Sequence, residues 1–270
     1  MNWNAVRAIV RKDLKVVLQN KGVSIPLIMA PVIILVALPV VVAVLAPTIG
    51  DMGATGSAGG MLQGMPGSQA ALAGYDEAQG FVVNVLVFIL APFYLILPVV
   101  SSMSIACDSF AGEKERKTLE ALLYTPTTDG ELFLGKLLSA WLPALGIAWG
   151  GFLIYTVMVN LAGWPVMGRL FFPTTMWVIL AVWVAPAAAG LGVCATVLIS
   201  SRARTFQEAY QLGAVVILPV LMLLVGQVTG VMVLSVWLVA LLGLVFWAID
   251  AALLWFGRRT FRRSKLATQM

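Results

Sequence analysis

The stretch CDSFAGEKERKTLEALLYTPTTDGELFLGK, residues 107–136, decides how the chain is read. It holds Asp108, Glu113, Glu115, Glu120, Asp129 and Glu131, half of the chain's 12 acidic residues. On either side lie long runs without a single charge: residues 78–107 before it and 137–168 after it. A charge at the centre of a membrane helix costs about 2.5–3.5 kcal/mol, so the two runs read as membrane spans and the stretch between them as a polar connection.

The rest of the chain agrees. It is 61% hydrophobic and 11% charged, with a mean hydropathy of +0.98, whereas a soluble domain is about a quarter charged. A bilayer core about 30 Å thick needs roughly 20 apolar residues in a helix. Six segments qualify, at 24–46, 81–105, 137–161, 174–199, 209–228 and 233–256, and Asp250 is the one charge inside them. The fold class expected is an all-α polytopic membrane protein with six transmembrane helices. So few polar residues join the last two runs that a re-entrant segment is the alternative to a sixth span. The first run exceeds the 7–15 residues of a signal-peptide core and is expected to stay as a helix.

Basic residues set the orientation. Arg7, Arg11, Lys12, Lys15 and Lys21 precede the first span, and Lys114, Arg116, Lys117 and Lys136 lie in the second connection. Arg202 and Arg204 lie in the fourth, and the tail, 257–270, carries five more; of the 17 Lys and Arg residues only Arg169 falls on the other side. This bias places both termini in the cytoplasm. It also accounts for the net charge of +5 through anchoring to the lipid bilayer, with no nucleic acid required. There is no histidine, and Cys107 and Cys194 lie one at a span edge and one inside a span, which argues against a disulfide and against a metal site.

Residues 1–23 hold an amphipathic helix over 3–19. Trp3, Val6, Val10, Leu14 and Val17 share one face, and Arg7, Arg11, Lys15 and Gln19 the other. Such a helix is expected to lie in the membrane interface. Residues 47–80 read as a flexible, glycine-rich external loop. Its methionines, without His or Cys beside them, make a poor soft-metal site. Gly146 and Gly150 form a GxxxG in the third span, and Ala185, Ala188, Ala189, Gly190 and Gly192 crowd the fourth, where small residues let backbones approach. Prolines in several spans predict kinks.

Within the opening stretch, Glu113 and Lys117 stand at i,i+4, Leu119, Leu122 and Leu123 form a short apolar edge, and Pro126 ends the helix at Thr125. Thr128 and Glu131 then match a capping box that starts the next helix. Gly130 to Lys136 fits GxxxxGK, but Leu137 stands where a magnesium-binding Ser or Thr belongs and no strand precedes it. The context of a nucleotide site is missing, so no cofactor is expected on this chain.

Residues 111–140, AGEKERKTLEALLYTPTTDGELFLGKLLSA, resemble the permease subunits of type-2 ATP-binding-cassette (ABC) exporters. Those carry an E-x-E-x-x-T-L-E-x-L-L-x-T-P-x-x-x-x-E-x-x-x-G-K pattern between their second and third spans, matched here from Glu113 to Lys136. Residues 200–219, SSRARTFQEAYQLGAVVILP, resemble the family's connection into the fifth span. The resemblance implies a coupling helix in the cytoplasmic segment 106–136 that seats on a separate ATPase, with ATP and Mg on that partner. It implies docking by Glu113, Lys114, Glu115, Arg116, Lys117, Thr118, Leu119, Glu120 and Leu122, with Arg202, Arg204 and Glu208 as a weaker second contact. It further implies a second permease subunit, identical or related, and residence in the plasma (bacterial inner) membrane.

Polar groups inside the spans are few: Asn84, Tyr94, Ser101, Tyr155, Asn160 and Asp250 are the candidates to line a path. A path so apolar favours a hydrophobic or amphiphilic cargo, such as a drug-like molecule or lipid. Sodium export by a member of the same family is an alternative, as is a scaffold that recruits an ATPase without transporting. An intramembrane enzyme lacks the histidines, paired aspartates or serine–lysine pair it would need.

Overall fold

A computed structural model describes residues 3–52, 74–116, 128–200, 203, 205–229, 231, 232 and 234–260, and every regular element among them is helical. Helix α1 is Trp3–Gln19. Six further helices are long and apolar enough to cross a membrane: α2 (Ser24–Thr48), α3 (Glu77–Glu115), α4 (Gly130–Met167), α5 (Thr175–Ser200), α6 (Phe206–Val228) and α7 (Val236–Gly257). The chain is thus a multi-pass membrane protein, and its last two apolar runs are separate spans.

α3 and α5 form the centre. Their most apolar stretches are 72% and 67% buried, against 17% for α2 and α6, which lie outermost. α4 packs on α3, α7 on α5, and α1 across the first turns of α4. Close approach of α3 and α5 depends on Gly192: a Cβ there would overlap Ser102 Oγ and lie 2.6 Å from the Val99 carbonyl. Ala185, Ala188 and Ala189 of α5 are fully buried as well. Gly146 and Gly150 behave differently, since a Cβ on either would meet nothing within 4 Å among the described residues.

Four π-helical turns interrupt the spans, at Ile33–Ala37, Asn84–Ile89, Asp108–Gly112 and Leu180–Val184. Three are followed within three residues by proline: Pro39, Pro92 and Pro186. Proline lacks the N–H of the helical ladder and its ring collides with the preceding turn, and a widened turn relieves the collision. Carbonyls in widened turns then accept side-chain donors, as they must where water is absent. Tyr155 O–H donates to the Leu86 carbonyl and Trp177 Nε1–H to Val87 at 2.7 Å. Trp149 Nε1–H donates to the Ala181 carbonyl at 2.9 Å. The fourth turn, Asp108–Gly112, has no following proline and lies where the functional residues gather.

Both ends of the external segment 47–80 differ from the sequence reading, since α3 already begins at Glu77. The helix begun before α2 continues to Met52, so the first residues assigned to the external loop are helical; residues 53–73 lie outside the described structure. The capping box at Thr128 and Glu131 is present, with both reciprocal hydrogen bonds formed. It starts a helix of 39 residues, about 58 Å at 1.5 Å per residue. That exceeds a bilayer core of about 30 Å, so α4, and α3 beside it, project beyond the apolar layer at the end of the bundle that carries the basic residues.

Candidate functional site, a polar clasp at the basic end of the bundle

The projecting ends of α3 and α4 bring Glu113 and Lys136 together. Lys136 is fully buried. Its Nζ donates to Glu113 Oε2 at 2.6 Å, to the Ser109 carbonyl at 2.6 Å and to Ser109 Oγ at 3.1 Å. The Phe110 ring lies 5.4 Å from the same ammonium. The widened turn Asp108–Gly112 presents both Ser109 and Phe110 to it. Burying an ammonium is costly unless a charge and hydrogen bonds compensate, and here all three of its donor positions are engaged.

α1 closes the cluster from the side. Asp13 is 3% exposed and its Oδ2 accepts from Ser109 Oγ at 2.8 Å and Ser139 Oγ at 2.9 Å. Lys12 pairs with Asp13 Oδ1 at 3.2 Å and with the remaining oxygen of Glu113. Two carboxylates and two ammoniums therefore share one site, and its formal charge cancels. Burial alone would lower the Lys12 pKa, but the Glu113 hydrogen bond and the charges of Glu113 and Asp13 outweigh it and raise it above 10.5. Gly135 lets α1 sit this close, since a Cβ there would come within 3.1–3.2 Å of the Ile9 side chain.

The face that α1 buries overlaps the one its pattern predicts, through Val6 and Val17, but is rotated toward Ile9 and Asp13. Val6, Ile9, Asp13 and Val17 are buried, whereas Trp3 is 55% exposed and Val10 and Leu14 are half-buried. The helix turns toward α4 because an aspartate with three partners there is better placed than in water. Arg7, Arg11 and Lys15 remain exposed.

The other acidic motif residues divide between two tasks. Arg116 reaches back over Gly112 to Asp108, with Nη1 3.0 Å from Oδ1. Glu115 Oε2 accepts from the Phe206 backbone N–H at 2.9 Å, at the N-terminus of α6, where Thr205 is the N-cap and a negative charge is favoured by the helix dipole. Lys114 Nζ lies 3.4 Å from the Ala203 carbonyl. The second and fourth connections thus meet through Lys114 and Glu115. Glu208 is exposed in the first turn of α6. Lys117, Thr118, Leu119, Glu120, Leu122, Arg202 and Arg204 lie outside the described residues.

Glu113 is buried, at 6% exposure. The i,i+4 reading assigned it to Lys117; it faces inward to Lys136 and Lys12. Asp13, Ser109 and Ser139 are the members that local pattern did not mark. A buried partner 23 residues away leaves no local periodic trace.

The polar residues proposed for a path are enclosed within this chain. Tyr94 and Tyr155 are fully buried, and Asn84, Ser101 and Asn160 nearly so. Tyr94 O–H donates to the Ala148 carbonyl at 3.0 Å. Asn160 Nδ2 donates to the Phe172 carbonyl at 2.7 Å and its Oδ1 accepts from the Phe171 and Phe172 N–H groups. Tyr94, Phe152, Tyr155, Phe172 and Trp177 pack ring against ring. These groups tie helices together. Asp250 is buried as well, at 2% exposure, in α7.

Comparison with known proteins agrees with this layout. The family described as "ABC-2 family transporter protein" matches residues 7–235, from α1 to the threshold of α7. The "ABC transporter permease protein NatB" of Bacillus subtilis (strain 168) is 36% identical over 85 residues, 32% of this chain and 22% of that relative. The shared stretch therefore spans under a quarter of the relative's length. No solved structure matches. The match over residues 7–235 covers α1, the clasp and five of the six spans, and the chain belongs to the ABC-2 family of transporter proteins.

Proposed function

We propose that this chain is the membrane-spanning permease subunit of an ABC exporter in a bacterial inner membrane, with both termini cytoplasmic. A separate cytoplasmic ATPase supplies the work. Two permease subunits, identical or related, enclose the path along their shared face, and the cargo is hydrophobic or amphiphilic. Membership of the family supports the class, and so does the relative whose name describes a permease. The apolar cargo is supported by the engagement of polar span residues with backbone groups, which leaves mainly aliphatic and aromatic side chains facing outward.

The observation that carries the reading is the clasp. A cytoplasmic motor pushing on 113–122 would act on a segment joined to α4 through Glu113 and Lys136, to α1 through Lys12, and to α6 through Glu115. Displacement at one short segment then reaches four helices at once. ATP-driven closure of the ATPase pair changes which arrangement of these helices is favoured, and cargo must bias the same two arrangements.

The test is purification in mild detergent with the ATPase that accompanies the chain. Glu115→Lys combined with Leu119→Glu is expected to release that ATPase and abolish its cargo-stimulated turnover. Unchanged association and unchanged stimulated turnover would overturn the docking assignment.

A further inference from the structure

The other buried carboxylates discussed above all have partners: Asp13 has Lys12 at 3.2 Å, Asp108 has Arg116 at 3.0 Å, Glu113 has Lys136 at 2.6 Å, and Glu131 accepts from the Thr128 backbone N–H at 3.0 Å. Asp250 has none. It is 2% exposed, and neither carboxyl oxygen makes a hydrogen bond. It lies in the contact between α7 and α5. A Cβ on Gly190 would overlap Asp250 Oδ2 and stand 2.9 Å from its Cγ. Seven residues earlier on each helix the relation is reversed, for Trp183 of α5 fills the space above Gly243 of α7. Trp183 Nε1–H also donates to the Ala240 carbonyl and Trp247 Nε1–H to the Trp183 carbonyl. The two helices are therefore keyed by one indole and one carboxyl, each seated on a glycine of its neighbour.

An ionised carboxylate without donors in such a place is unfavourable by several kcal/mol. Three things can neutralise it. No basic side chain pairs with it among the described residues. A metal cation needs several oxygen ligands; no group of three acidic, cysteine or histidine side chains stands among the described residues, and the seat on Gly190 leaves no space on that side. A proton needs neither space nor further ligands.

We propose that Asp250 is a proton-binding site, carried as the carboxylic acid while α5 and α7 are packed and emptied when they part. On parting, the O–H bond breaks, its electron pair stays on the carboxylate, and the proton passes to water. The titratable group that faces it from α5 is the Cys194 thiol, one turn beyond Gly190. Proton binding and helix separation are then linked, so each biases the other. The inference rests on the α5–α7 contact alone and holds whichever partner or cargo the chain has.

The experiment uses the full chain in nanodiscs of neutral phospholipid. Dicyclohexylcarbodiimide attacks protonated carboxyls in apolar surroundings, and peptide mass spectrometry locates the adduct. An exposed carboxyl is about one part in a thousand protonated at pH 7. Asp250 is expected to react at least about tenfold faster than such an exposed carboxyl. Sodium chloride is expected to leave the rate unchanged, and Gly190→Ala, which displaces the carboxyl, to lower it several-fold. Infrared difference spectra should show a protonated-carboxyl stretch lost in Asp250→Asn. No preferential labelling of Asp250 at neutral pH overturns the proposal, as does protection by sodium. If Asp250→Asn fails to fold, labelling of the unaltered chain decides the matter.

Discussion

Lys136 Nζ and Glu113 Oε2 stand 2.6 Å apart with no water-exposed surface on the lysine, and this pair locks the end of α3 to the start of α4. Removing one member of a buried ion pair costs about 3–5 kcal/mol, whereas replacing both by apolar side chains of similar volume is often neutral. Lys136→Met is therefore expected to lower thermal stability in detergent by that order. Glu113→Met combined with it should recover much of the loss, because the stranded carboxylate is gone. A thermal-shift double-mutant cycle measures the coupling. A double variant no better than the single would show that the pair contributes little beyond packing.

Asp13 predicts how firmly α1 is held. Its Oδ2 accepts from Ser109 and Ser139, and stranding two buried hydroxyls costs about 1–3 kcal/mol. Asp13→Ala should loosen α1 before the spans are affected. Limited proteolysis is expected to cut within residues 3–19 several-fold faster than in the unaltered chain.

The Lys12 pKa gives a signed pH dependence. It is raised above its ordinary value of 10.5, so the folded state holds this proton more tightly than the unfolded state. Its contribution is then complete below about pH 10 and is lost as the pH rises through the folded value. The difference in melting temperature between the unaltered chain and Lys12→Met should be flat from about pH 7 to pH 10 and shrink above that. A difference that grew with alkalinity would contradict the assignment.

Gly135 and Gly192 predict steric limits. At Gly135 the obstacle is the Ile9 side chain at 3.1–3.2 Å, so Gly135→Ala should be tolerated with a small shift of α1. Gly135→Leu should displace it, at about 1–3 kcal/mol. At Gly192 the obstacle includes the Val99 backbone carbonyl at 2.6 Å, which cannot rotate away. Gly192→Ala is expected to reduce the yield of folded protein in detergent, measured by size-exclusion chromatography, more than Gly135→Ala does.

The six spans were readable because their signal is local: runs such as 137–168 hold no charge, and no burial pattern is needed to see it. Thr128 and Glu131 were readable for the same reason, since a capping box spans four residues. The clasp was not. The i,i+4 rule pointed Glu113 at Lys117, and nothing in the intervening residues marks Lys136 as the nearer partner. An amphipathic count puts charges outward by assumption, and so gave no sign of the buried Asp13 of α1. Tyr155, read as a candidate to line a path, donates to a carbonyl released by the widened turn ahead of Pro92. That service is visible only once the helices are placed.

The widened turn at Asp108–Gly112 carries one residue more than a regular helix would, and one extra residue rotates everything after it by about 100°. Glu113 meets Lys136 because of that rotation. A one-codon insertion suffices to create such an arrangement, and a one-codon deletion between Cys107 and Gly112 would swing Glu113, Glu115 and Arg116 onto other faces together. The spacing of this motif is thus a phase setting: its letters retain their meaning only while the count of residues ahead of them is kept.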